Sequence, residues 1–109
     1  MSKIIAVTSC ATGIAHSYMA AEAIKKAAKK NGWKAHVEIQ GALGVENRLS
    51  ETDISEADVI VLSNDVGLTD GSRFEGFESK TFSMAPHSVI QNPDELVKKI
   101  REHLPREGS

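Results

Sequence analysis

The side chain in this protein best suited to covalent chemistry is that of Cys10, the one cysteine among 109 residues. It stands in Cys10-Ala11-Thr12-Gly13-Ile14-Ala15-His16-Ser17, a run of small residues with hydroxyls, a glycine and an imidazole. A thiol attacks as its thiolate, so its ordinary pKa of about 8.5 must fall for reactivity near neutral pH. The start of a helix has that effect. Its unpaired N–H groups and positive dipole end favour a thiolate and bind phosphate oxygens equally well. Gly13 lets a backbone curl around such an anion, and Thr12 and Ser17 could add hydroxyl donors. The plainer reading of a lone cysteine is a small buried hydrophobe. The choice between the two turns on the elements around Cys10.

Before it, Ile4-Ile5-Ala6-Val7 is a continuous apolar run that reads as a strand buried on both faces. After it, a helix is predicted from about Ile14 to Lys30. Ala20, Ala23, Ile24 and Ala27 make its buried stripe, lysines gather at its end, and Gly32 is placed for a left-handed cap. Cys10 therefore falls at a strand–loop–helix junction, which favours the phosphate-binding reading. Further on, Ala35, Val37 and Ile39 alternate with His36, Glu38 and Gln40 as in a half-buried strand, broken by Gly41-Ala42-Leu43-Gly44.

Ser50 to Ala57 reads as a short helix with Ser50 as N-cap and Asp53 three residues on. Val59-Ile60-Val61-Leu62 is a second doubly buried strand, and Ser63 to Lys80 reads as a long loop. Thr81 to Met84 is a weaker strand, and Pro86 opens a short helical turn. Asn92-Pro93-Asp94-Glu95 starts a last helix, with Leu96, Val97, Ile100 and Leu104 as its stripe. Alternating strands and helices predict an α/β fold, a parallel sheet covered on both faces, with its site at the carboxyl ends of the strands.

Composition narrows the function. A length of 109 residues fits one domain, expected over residues 1–105 with 106–109 as a disordered tail. A net charge of −2 with interspersed signs argues against nucleic acid. One cysteine rules out an intrachain disulfide and a four-cysteine zinc site and suits the reducing cytoplasm. No metal is expected, because His36, His87 and His103 lack ligand spacing; they read as surface or partner-facing. The first apolar run is too short to cross a membrane.

Two phosphate loops are excluded: there is no G-x-x-x-x-G-K-[ST], and no G-x-G-x-x-G follows either buried strand. Small tyrosine phosphatases come closer, with a loop that begins in cysteine and ends six residues later in arginine. Here that place is His16. Without a guanidinium to clamp the phosphoryl group, passing it on is favoured over hydrolysis.

The motif from Cys10 to Ala23 closely resembles C-P-T-G-I-A-H-T-x-M-A-A-E-A, the signature of fructose-type IIB domains of the bacterial sugar phosphotransferase system. Glu38-Ile39-Gln40-Gly41 through Glu46-Asn47-Arg48-Leu49 is similar to that family's second block, and Arg73-Phe74-x-Gly76 to a later one. The resemblance runs from about Lys3 to Ile100. It implies a three-layer sandwich with a four-stranded parallel sheet and a phosphate-binding loop after strand 1. It implies a phosphocarrier in which Cys10 takes phosphate from a phosphohistidine on a IIA domain and gives it to a sugar held by the membrane IIC component.

The implied phosphate-binding residues are Ala11, Thr12, Gly13, Ile14, Ala15, His16 and Ser17. No cofactor is implied, and the location is cytoplasmic, at the inner membrane through IIC. Ala11 stands where the family has proline, Ser17 where it has threonine, and Gly76 to Lys80 departs from the family pattern. Asn64 and Asp65 either shape the pocket or form an ordinary turn, and Arg73 and Lys80 read as solvated charge. Two rivals remain at this point, a small phosphatase and a phosphorylation-dependent regulatory module.

Overall fold

Ile4, Ile5, Ala6 and Val7 are fully buried in strand β1 (Lys3–Ser9), the centre of the sheet. The computed structural model describes residues 2–9, 14–41, 44–64 and 71–104. After β1 come α1 (Ile14–Lys30), β2 (Lys34–Gly41), β3 (Gly44–Glu46), α2 (Glu51–Glu56) and β4 (Val59–Asn64). Two single 3-10 turns, Gly71–Phe74 and Glu78–Lys80, lead to β5 (Thr81–Ser83), α3 (Pro86–Gln91) and α4 (Pro93–His103). The strand order is β3-β2-β1-β4-β5.

Among the described residues the sheet has five strands where four were expected. β2, β1, β4 and β5 form the parallel set, and β3 adds an antiparallel edge to β2. The reversal is possible because Gly44 takes a φ of 118°, a region open to glycine. β3 escaped the sequence reading because all three of its residues are exposed, so no buried periodicity marks it. The stretch expected as loop from Ser63 to Lys80 also carries the end of β4 and both 3-10 turns.

Alternation along β1 builds two cores. Ile4 and Ala6 face α1, α3 and α4, joined by Val37, Val59, Val61, Ile24, Val89, Leu96 and Ile100. Ile5 and Val7 face the other way and meet Ile60, Leu49, Ile54 and Phe74. A fully buried Ile or Val contributes about 1.5–3 kcal/mol, so the central strands carry much of the stability. The inner stripe of α1 is Ser17, Ala20, Ala21, Ile24, Ala27 and Ala28, all buried. Its alanines let the helix lie close to the sheet.

The helix ends obey local rules. At the end of α1 the Trp33 N–H donates to Ala28 O at 2.9 Å and the Gly32 N–H to Lys29 O at 3.2 Å, a Schellman cap closed by Gly32 at φ 75°. At the start of α2 the Ser50 Oγ accepts from Asp53 N at 3.1 Å, and Asp53 Oδ2 accepts from Ser50 N at 3.0 Å. This is the expected capping box.

Lys80, expected as solvated charge, is tied in. Its Nζ donates to Ala57 O at 2.6 Å and to Ser55 O at 3.2 Å, covering the carbonyl end of α2. Burial lowers its pKa, opposed by the nearby Asp58 charge. The segment that departs from the family pattern is thereby anchored to α2.

Candidate functional site at the carboxyl end of the sheet

The carboxyl ends of three adjacent strands lie side by side. Ser9 of β1 is in register with Gln40 of β2 on one flank and Asn64 of β4 on the other. α1 starts at Ile14, a short connection after β1 ends at Ser9, so its first turn stands at this same end. Cys10, Ala11, Thr12 and Gly13, and Asp65 as well, lie outside the described residues. Ile14 and Ala15 belong to the first turn of α1. His16 is exposed on that turn, and Ser17 is 1% exposed, facing the sheet. Asn64 is half-buried at the end of β4.

Behind this edge lies a polar network that the sequence reading missed. Glu38 is fully buried, and Gln40 is buried beside it. Arg73 donates from Nη1 to Glu38 Oε1 and from Nη2 to Oε2, both at 2.8 Å, a bidentate pair. Gln40 Nε2 donates to Glu38 Oε2 at 2.8 Å, and the Leu49 N–H to Oε1 at 2.8 Å. Arg73 reaches Leu49 O as well, at 3.2 Å. Burial alone would raise the Glu38 pKa. The hydrogen bonds from Arg73, Gln40 and Leu49, with the guanidinium charge, outweigh it and hold the carboxyl below its usual value.

Two readings are corrected here. Arg73 is not solvated charge; its side chain is 12% exposed and bound to Glu38. Nor do Glu38 and Gln40 form a solvent face, because the 3-10 turn Gly71–Phe74 covers that side of β2. The alternation along β2 gave no signal of this, because Arg73 stands in the segment after β4, two strands away from β2. Two of the histidines, His36 and His103, are also engaged. His36 Nε2 lies 3.0 Å from Asn47 O, and the His103 ring packs on Phe82 at 5.0 Å between centroids.

The described residues thus place the carboxyl ends of β2, β1 and β4, the first turn of α1 and a buried Glu38–Arg73 ion pair at one end of the sheet. Residues 5–99 match the family described as the PTS system lactose/cellobiose-specific IIB subunit. The PTS system fructose-like EIIB component 2 of Escherichia coli strain K12 is 45% identical over 105 residues, covering 95% of this chain and 96% of that protein. The chain belongs to the fructose-like IIB components of the sugar phosphotransferase system. The IIB fold is matched by a crystal structure described as a predicted fructose-specific IIB from Escherichia coli. Its TM-score is 0.89 at 36% identity, covering 98% of this chain and 93% of that one. A longer IIB-containing relative, the fructose-like PTS system EIIBC component of the same species, is 40% identical over 100 residues. The match spans 90% of this chain and 20% of that protein. No helix among the described residues is long and apolar enough to cross a membrane.

Proposed function

We propose that this IIB component carries a phosphoryl group on Cys10, taken from a phosphohistidine on a IIA domain and given to a fructose-like sugar bound by a membrane IIC component. In the first step the Cys10 thiolate attacks phosphorus. An S–P bond forms, the N–P bond breaks, and its electron pair returns to the imidazole. In the second step a sugar hydroxyl attacks, an O–P bond forms, its proton leaves to solvent or a base, and the thiolate departs. Each step needs donors for charge spread over the phosphoryl oxygens. The amides from Ala11 to His16, with the hydroxyls of Thr12 and Ser17, are the proposed donors. A thiolate of pKa about 8.5 leaves far more readily than a serine alkoxide, which suits a relay.

The observation that supports this reading is that β1 ends at Ser9 and α1 begins at Ile14, at the carboxyl edge of the parallel sheet, so that in the chain the Cys10 motif follows a strand end and runs into a helix start. Hydrolysis is disfavoured by the same edge. His16 stands where a phosphatase loop has arginine, and Arg73 is held by Glu38. The relative whose name joins B and C components supports the IIC partner and a cytoplasmic place at the membrane.

The test is mass spectrometry after incubation with phosphoenolpyruvate, enzyme I, HPr and a fructose-type IIA. One phosphoryl group is expected on the Cys10 peptide, only when IIA is present. Cys10→Ser should fold normally and lose sugar phosphorylation. Undiminished transfer by that variant refutes the proposal.

A further inference from the structure

Three hydroxyls at the site end of the molecule have no hydrogen-bond partner among the described residues although they are sealed from water: Thr8 Oγ1, Ser17 Oγ and Ser63 Oγ. Thr8 and Ser63 are 0% exposed and Ser17 is 1% exposed. Burying a hydroxyl without a partner costs stability, and native folds retain few such groups. Valine or alanine in these places would avoid the cost, so three together call for a physical reason.

Their places coincide. Thr8 and Ser63 are register partners on β1 and β4, one step before the strands end. By alternation both continue the face of Ile4, Ala6, Val59 and Val61, on which α1 packs. Ser17 opens the buried stripe of α1, in the turn that lies over the carboxyl end of that face. Below this point the interface of α1 with the sheet is wholly apolar. At its site end it is lined by three O–H groups.

We propose that Thr8 and Ser63, with Ser17, are donors held for negative charge at the site, stabilising the Cys10 thiolate and then the phosphoryl group it carries. This rests on the carrier reading for its second half; the thiolate half stands without it. Each hydroxyl has one hydrogen and turns freely about its C–O bond, so no backbone motion is needed to meet an arriving charge. A hydrogen bond left unmade in the resting fold is then made only when charge is present, which favours the charged state over the neutral one. Among the described residues the titratable groups at this end of the face are His16 on α1 and His87 on α3, both exposed. Glu38 lies on the opposite face, held by Arg73.

The test compares Thr8→Val, Ser63→Ala, the double variant and Thr8→Ser with the unaltered protein. The Cys10 thiol pKa is read from the pH dependence of alkylation, the melting temperature from calorimetry, and phosphoryl uptake from phospho-IIA. Thr8→Val should melt at or above the parent temperature, yet its thiol pKa should rise by about one unit, about tenfold less thiolate at neutral pH. Uptake should slow in parallel, Ser63→Ala should act in the same direction, and Thr8→Ser should retain parent values. A folded double variant with an unchanged thiol pKa overturns the proposal. Should Thr8→Val fail to fold, Ser63→Ala decides alone by the same measurement. If the parent protein takes no phosphate from IIA, the carrier reading fails; a raised thiol pKa in the variants still upholds the donors.

Discussion

Glu38 and Arg73 show how a charge can be kept inside a small sheet. The carboxylate sits at zero exposure and receives four hydrogen bonds, from both Arg73 nitrogens, Gln40 and the Leu49 amide. Such a pair adds little net stability over an apolar one, but removing one partner leaves an uncompensated buried charge. Arg73→Ala should therefore cost about 3–5 kcal/mol in urea unfolding at neutral pH. The loss should shrink in acid. Glu38's pKa is lowered in the fold, so its stabilisation is present above the unfolded value of 4.5 and fades as pH falls through the folded one. In the variant the carboxyl is free to protonate, and the two proteins should converge in stability below that range. A constant difference from pH 7 to acid would show that Arg73 acts through packing instead.

At the scale of an element, α2 is too short to persist on propensity alone, at six residues. Its capping box and the link from Lys3 to Asp53 at 3.3 Å fasten it. Asp53's pKa is drawn from 3.8 to about 2 by the Ser50 N–H, the Ser50 hydroxyl and Lys3. A lowered acid pKa stabilises the fold above the unfolded value, and that contribution is lost between about pH 4 and pH 2. The Lys3–Asp53 pair is partly solvated, which limits its worth. Ser50→Ala should cost about 1 kcal/mol at neutral pH, the usual value of an N-cap. Asp53→Asn should flatten the melting temperature between pH 4 and pH 2 relative to the parent protein. An unaltered acid limb in Asp53→Asn would assign that loss to other carboxylates.

The whole molecule is organised around β1 and β4, whose odd and even residues feed two separate cores. Ile60 is fully buried beneath α2 and the 3-10 turn carrying Phe74, whereas Val45 on the edge strand is 37% exposed. Ile60→Ala should cost about 2–5 kcal/mol through the cavity it leaves. Val45→Lys should change stability by less than about 0.5 kcal/mol, since its side chain lies on the surface. Calorimetry on the pair checks the ranking; equal effects would mean that β3 is part of the core after all.

The sequence by itself determined the strands and helices that bury periodic apolar runs, their caps, and the strand–helix junction that holds the Cys10 motif. Those features are local: Ile4 to Val7, the Ala20, Ile24 and Ala27 stripe, Gly32 and the Ser50–Asp53 box each act through neighbours in the chain. Tertiary structure alone decided the rest. β3 became a strand because Gly44 turned it back onto β2, with no burial to announce it. Arg73 found Glu38 across 35 residues because β1 and β4 bring the ends of distant segments together. Thr8, Ser17 and Ser63 became a group only when α1 was laid over two neighbouring strands. Periodicity reports which face of an element is buried; only the packed fold decides what that face meets.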